Sequence, residues 1–287
     1  MTKIVISMTR IKILNLGLCL LLALGYVSCR PGKSSQRIVV AGSTSIQPFA
    51  DKWAELFMEK RPETVVDVQG GGSSAGIQAV QTGAADIGMS SRALTEDEKE
   101  LFEIEVARDG LAIIIHPENQ LDNLQLDQVR SIFSGEITTW EILNGKAKNI
   151  TVVVREEGSG TRAAFQELVM GRLRISKRAI VQDSNGTVRE IVSRDPNAIG
   201  FISLGLVNKS VKTLSLDGIY PTEESIQNET YRLVRPFLFL TRAAPSGLVK
   251  EFIDFILSEE IQQLIKKEGL IPIKKNPGPR DDQDRTE

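Results

Sequence analysis

The stretch Gln69-Gly70-Gly71-Gly72-Ser73-Ser74-Ala75-Gly76 satisfies parts of three patterns that carry chemistry. Gly72 to Gly76 fits the G-x-S-x-G turn of a serine hydrolase with Ser74 as nucleophile, Gly70 to Ala75 fits the G-x-G-x-x-A of a dinucleotide fold, and Gly71 to Gly76 begins a P-loop. Each pattern needs a partner. A serine nucleophile needs a general base, in hydrolase order an acid and then a histidine well after the serine. The single histidine, His116, stands directly before Pro117 and reads as the polar end of a strand. A dinucleotide site needs an acidic residue about 20 positions on, at the end of the next strand; Asp86 comes too early and starts that strand. A P-loop needs Lys and then Ser or Thr after Gly76, where Ile77-Gln78 stand. What the three share survives: a strand, a glycine-rich turn and free backbone N–H groups at a helix start, which together favour an anion.

The same design recurs. Gly42-Ser43-Thr44-Ser45 and Glu157-Gly158-Ser159-Gly160-Thr161 each follow a strand pattern and precede a helix pattern, and Asp86 to Arg92 ends a further strand with Ser90 and Ser91. In a sheet of parallel strands such turns face one crevice at the strand C-terminal ends.

The elements that must position these turns alternate along the chain. Arg37–Ala41 reads as a strand; Ile46, Phe49, Ala50, Trp53, Leu56 and Phe57 recur at helical spacing; strand Thr64–Gln69, a helix over about Ser74–Gln81 and strand Asp86–Ser90 complete a βαβαβ series. After the apolar strand Leu111–Ile115 a second series begins: helix Leu126–Phe133, strand Ile150–Val154, helices over Thr161–Met170 and Gly186–Ser193, and strand Ile199–Ser203. Tyr231–Leu240 is long enough to cross back, and two amphipathic helices follow, one lined by Leu248, Phe252 and Ile256, the other by Ile261, Leu264 and Ile265. The expected architecture is α/β with two lobes, each a mixed sheet flanked by helices, joined by two crossover hinge strands. Residues 37–115 form the first part of lobe 1, 116–234 lobe 2, and 235–275 the return to lobe 1.

Outside this body, the N-terminus has Lys3, Arg10 and Lys12 ahead of an apolar run from Ile13 to Val27 that ends in Ser28-Cys29. That order is an export signal over residues 1–28, too short for a comfortable membrane span. Residues 29–36 read as a polar tether and 276–287 as a charged, Pro-containing disordered tail. With 35 basic and 37 acidic residues in 287 and a formal charge of -2, there is no basic field to attract nucleic acid. Two cysteines, one of them inside the apolar run, and one histidine support no disulfide framework and no zinc cluster; no cofactor or metal is expected. The Asn-x-Ser/Thr sequons at Asn149, Asn185, Asn208 and Asn228 read as chance occurrences.

Taken together, the motifs resemble the phosphate-binding proteins of bacterial and archaeal phosphate ABC transporters, which have the periplasmic-binding-protein type II fold. The resemblance runs over nearly the whole mature chain. It rests on Gly42 to Ser45, Gly71 to Gly76, Ala-Asp-Ile-Gly-Met-Ser-Ser-Arg at 85–92, Arg155 with Gly-Ser-Gly-Thr at 158–161, and Ala-Ile-Gly-Phe at 198–201. It implies binding of inorganic phosphate rather than catalysis and delivery to a membrane permease. A monomer is expected. Cys29, with the small Ser28 before it, resembles the lipidated cysteine of a bacterial lipoprotein signal, so the chain is expected at the cell membrane by a lipid there or in the periplasm. The implied phosphate-binding residues are Thr44, Ser45, Ser73, Ser91, Arg155, Ser159, Gly160 and Thr161. Many members carry Asp where Ser91 stands, a carboxylate that accepts the proton of hydrogen phosphate and repels sulfate. With Ser91 here, sulfate rejection is expected to be less absolute or to move to Glu156 or Glu157. Arg92 would add positive charge or tie the lobes together, and Glu157 would orient Arg155. The alternatives are a receptor for sulfate or molybdate, and a secreted serine hydrolase using Ser74.

Overall fold

Strands that alternate with helices leave each strand's two faces to be covered by helices, and the chain folds in that way. The computed structural model describes residues 36–143, 145 and 148–273. The expected signal peptide, Cys29, most of the tether and the 276–287 tail lie outside these residues.

In the first series β1 (Gln36–Gly42) pairs in parallel with β2 (Thr64–Gly70) and with β3 (Ile87–Ser90). Helix α1 (Gln47–Lys60) begins with Pro48 in its first turn, where its missing N–H costs nothing, and turns Phe49, Ala50, Trp53, Ala54 and Phe57 inward. Helix α2 (Ser73–Thr82) ends where Gly83 adopts the left-handed conformation, φ 77°. The sheet runs continuously through both lobes. Its order is β2-β1-β3-β11 (Val234–Thr241)-β4 (Phe102–Ile115)-β8 (Ala198–Ser203)-β6 (Thr151–Arg155)-β7 (Ile180–Gln182), and β9 (Lys212–Thr213) and β12 (Ile271–Pro272) pair with β4. Strands β5 (Asn123–Leu124) and β10 (Ser215–Leu216) pair apart from it, and α6 (Glu223–Gln227) precedes β11.

The joint is made by β4 (Phe102–Ile115) and β11 (Val234–Thr241). Residues 102–110 of β4 pair antiparallel with β11, and Leu111–Ile115 pair antiparallel with β8 (Ala198–Ser203) and β9 (Lys212–Thr213). Leu111–Ile115 therefore belongs by hydrogen bonding to the lobe 2 half of the sheet. It is the second half of a longer strand, so by strand pairing the lobe 1 part of β4 ends at Gly110 rather than at the expected boundary, Ile115. The second series continues with α3 (Leu126–Ser134), β6 (Thr151–Arg155), α4 (Gly160–Phe165) and α5 (Asn185–Arg194), and β6 pairs in parallel with β8 and with β7 (Ile180–Gln182). The helix expected over Thr161–Met170 starts at Gly160 and widens after Phe165 into a π-turn, Gln166–Met170.

Each sheet half has apolar packing on both faces. In lobe 1 one face packs Trp53, Phe57, Phe239 and Phe252, the last from α7 (Gly247–Ile256), together with Ile261 and Ile265 of α8 (Glu259–Lys267); the other packs Ile77, Val80, Leu238 and Leu240. In lobe 2 Phe133, Phe165 and Phe201 meet on one face, the last two stacked with centroids 3.9 Å apart, and Val188 and Val192 cover the other. This three-layer packing fixes the turns at the strand ends.

Candidate functional site

The strand-end turns converge where the lobes meet. Thr44 and Ser45 lie between β1 and α1, Ser73 opens α2, and Ser91 follows β3, all from lobe 1. From lobe 2, Arg155 ends β6, Ser159 is the N-cap of α4, and Gly160 and Thr161 are its first residues. All but Thr44 are buried. The turn at Gly72 requires glycine: its φ is 93°, and a Cβ there would meet the Gly158 carbonyl oxygen at 2.9 Å. That close approach lets Ser74 N donate to Gly158 O at 3.1 Å, one backbone contact across the lobes.

Side chains make the rest. Arg155 Nη2 donates to Thr44 Oγ1 at 2.8 Å, and Ser45 Oγ lies 2.6 Å from Thr161 Oγ1. Ser91 N donates to Ser73 Oγ at 3.1 Å, and Ser43 Oγ donates to Ser91 Oγ at 2.8 Å. A Cβ on Gly160 would overlap both the Ser73 and the Ser91 hydroxyl. The structure thus brings the turns of both lobes into one cluster. Ser159 is partly diverted: its hydroxyl accepts Arg162 N at 3.3 Å as the helix cap.

Arg155 is held as a fork. Nε and Nη2 donate side-on to Glu156 Oε2 and Oε1 at 2.9 and 3.0 Å, and Nη2 also reaches the Asp183 carbonyl at 2.9 Å. Nη1 is buried and has no hydrogen-bond partner among the described residues. The orienting carboxylate is therefore Glu156 and not Glu157, which is 96% exposed and lies 3.9 Å from Arg162 Nη2. The cause is local: the chain leaves β6 at Arg155, so the next side chain turns back along the guanidinium while Glu157 enters the exposed turn. Both oxygens of Glu156 accept from Arg155, and Glu157 faces solvent.

Arg92 neither enters the cluster nor bridges the lobes. It donates from Nη1 and Nη2 to Glu98 at 2.7 and 2.8 Å within lobe 1. These bonds, with Thr95 N, hold the Glu98 carboxyl down at a pKa of about 2.

Residues that sequence reasoning missed complete the site. Asn185, noted only as a sequon, is buried, and its Nδ2 donates to Ser45 Oγ at 2.8 Å. Arg235 on β11 and Asp109 on β4 form a buried ion pair, and Arg235 Nη1 donates to Thr161 Oγ1 at 2.8 Å. Burial pushes the Asp109 carboxyl up from its ordinary value, with Arg235 and the Ser203 hydroxyl opposing it. The hydrolase residues do not meet: Ser74 is exposed on α2, and His116 Nδ1 accepts from Glu118 N at 3.1 Å. Among the described residues no group of three or more His, Cys, Asp or Glu could hold a metal, and no helix is long and apolar enough to cross a membrane.

A cluster of hydroxyl and backbone N–H groups around one buried guanidinium, drawn from two lobes, can enclose a small oxyanion by giving each of its oxygens several donors. Known proteins are similar to this chain in sequence and fold. A family model described as a PBP superfamily domain matches residues 30–260. The phosphate-binding protein PstS of Bacillus subtilis is 34% identical over 247 residues, covering 84% of this chain and 82% of that protein. A crystal structure from Clostridium perfringens, described as a phosphate ABC transporter substrate-binding protein with bound phosphate, is 40% identical with a TM-score of 0.81 and is covered in full by 83% of this chain. An ABC-type phosphate transport receptor from Vibrio cholerae is 40% identical, with a TM-score of 0.71, and 82% of this chain covers all of it.

Proposed function

From the premise that this chain belongs to the phosphate-binding protein family of the PBP superfamily, we propose that it captures inorganic phosphate between its lobes outside the cytoplasm. It then delivers the anion to the permease of a phosphate ABC transporter. The observation that carries this reading is the buried Nη1 of Arg155, a charged donor without a partner among the described residues, beside hydroxyls contributed by both lobes. A buried guanidinium N–H left unpaired is costly, and a phosphate oxygen offers it a charge-assisted acceptor.

The binding groups are the hydroxyls of Thr44, Ser45, Ser73, Ser91 and Thr161, the fork of Arg155, and the backbone N–H groups of the turn at Ser159, Gly160 and Thr161. Because Glu156 neutralises Arg155 and Asp109 neutralises Arg235, the anion is held largely by dipoles in a water-excluded site, where each is worth more than in water. The lobes close because the donors that complete the anion's shell come from both sides, and the permease reads the closed shape. Ser91 can donate or accept, so phosphate is preferred over sulfate only moderately. The protein acts as a receptor and not as an enzyme, as a monomer carried at the membrane by a lipid on Cys29. Titration calorimetry of the mature chain with phosphate, paired with small-angle scattering, tests the reading: one phosphate per chain with a more compact bound form is expected. Absence of saturable binding would refute it.

A further inference from the structure

The crossing strands hold a buried ion pair to which phosphate binding assigns no task. Arg235 on β11 stands opposite Asp109 on β4 in the antiparallel register, with side chains 1% and 0% exposed. Arg235 Nε and Nη2 donate to Asp109 Oδ2 at 3.0 and 2.8 Å. Nη1 points elsewhere, to Thr161 Oγ1 at 2.8 Å in lobe 2 and to the Ser91 carbonyl at 3.3 Å in lobe 1. The free oxygen of the carboxylate, Asp109 Oδ1, accepts from Ser203 Oγ at 2.9 Å. Ser203 N donates to Asn185 Oδ1 at 3.1 Å, Asn185 Nδ2 donates to Ser45 Oγ at 2.8 Å, and Ser45 Oγ meets Thr161 Oγ1 at 2.6 Å. These contacts close a buried ring that starts at the hinge, passes through lobe 2 and lobe 1, and returns to Arg235.

The donors in this ring have no choice of direction. A guanidinium nitrogen and an amide NH2 only donate, so Thr161 Oγ1 accepts from Arg235 and Ser45 Oγ accepts from Asn185. A hydroxyl has one proton, and neither of these two hydroxyls can spend it on its ring donor. In the structure one of these protons lies between Ser45 Oγ and Thr161 Oγ1, so an anion between the lobes can take the other, and both once that contact opens. We propose that Arg235, fixed by Asp109, and Asn185 are positioning residues that hold Thr161 and Ser45 as donors toward the anion and tie that donor state to the hinge. Stability alone is a poor reason for the pair, since apolar replacements of buried ion pairs are often neutral or stabilising. Placing a donor is a better one: the two bonds to Asp109 Oδ2 fix the fork so that Nη1 faces Thr161. A lysine at 235 would keep the charge beside Asp109 but lacks the planar fork that reaches both partners.

This inference rests on the phosphate reading above, and the experiment separates the two. Phosphate affinity by titration calorimetry and the melting temperature of ligand-free protein are measured for the parent, Arg235→Lys, the neutral pair Asp109→Asn/Arg235→Gln, Thr161→Val, and Arg235→Lys/Thr161→Val. Arg235→Lys is expected to bind phosphate about 10- to 100-fold more weakly, the loss typical of a hydrogen bond from a charged group. Arg235→Lys or the neutral pair Asp109→Asn/Arg235→Gln is expected to melt within a few degrees of the parent. The losses from Arg235→Lys and Thr161→Val are expected not to multiply in the combined variant, because both break one contact. A parent that binds no phosphate overturns the phosphate reading and this inference with it. A parent that binds overturns this inference alone under any of three outcomes: Arg235→Lys within twofold of the parent, multiplying losses, or affinity lost only in proportion to ligand-free stability.

Discussion

A methyl group at Gly160 tests whether the contact between the lobes is the binding-competent state. In the structure a Cβ at this position overlaps the Ser73 and Ser91 hydroxyls and comes within 3.1 Å of Ser73 Cβ. The hydroxyls cannot simply swing away, because Ser73 Oγ accepts from Ser91 N and Ser91 Oγ accepts from Ser43. Relief requires α4 and the lobe 1 turns to separate, which lengthens the Arg155 to Thr44 and Ser45 to Thr161 contacts. Overpacking of this kind costs about 1–3 kcal/mol. The collision is between lobes, so the cost falls on the closed form and spares the open one, and phosphate affinity should drop roughly 5- to 150-fold. Ligand-free Gly160→Ala should melt within about 2 °C of the parent, since the cost is absent from the open form. Titration calorimetry and thermal melts with and without phosphate read both quantities. An alanine variant that binds as tightly as the parent, or one that loses as much ligand-free stability as affinity, would show that the collision is not confined to a phosphate-bound closed form.

Arg155→Lys keeps a charge but loses the side-on fork, and it should weaken phosphate binding by about 100-fold or more by calorimetry. Glu156→Ala frees that fork and should weaken binding about tenfold, whereas Glu157→Ala, in solvent, should stay within about twofold. The Glu98 carboxyl, held at about 2 against an ordinary 4.5, adds stability above pH 4.5 that is lost as the pH falls toward 2. The gap in melting temperature between the parent and Glu98→Gln should therefore be steady near neutrality and close over that interval.

The two-lobed α/β architecture was legible because apolar periodicity switches between two and 3.6 along each series, and short glycine-containing turns mark the ends of β1, β2 and β6. The first half of β4 was harder: Phe102-Glu-Ile-Glu-Val-Ala alternates as a half-covered strand should, but the denser apolar run at Leu111–Ile115 overshadowed it. The turns carrying Thr44, Ser45, Ser73, Arg155 and Thr161 could be read because each is a local strand-to-helix signal. Arg235 and Asp109 could not, since they lie 126 residues apart and only the register of two antiparallel strands makes them neighbours. Asn185 looked like a sequon because a triplet says nothing about burial. The choice between Glu156 and Glu157 depends on where β6 ends, a matter of one residue that sequence patterns do not resolve.

In this crevice the hydroxyl at Ser91, where a carboxylate would repel sulfate, is expected to leave selection against sulfate incomplete. Competitive calorimetry decides it: phosphate titrated into the mature protein at neutral pH, alone and in the presence of excess sulfate. One saturable phosphate site is expected, occupied more tightly than by sulfate, with sulfate measurably raising the apparent dissociation constant. Sulfate binding as tight as phosphate or tighter would contradict it.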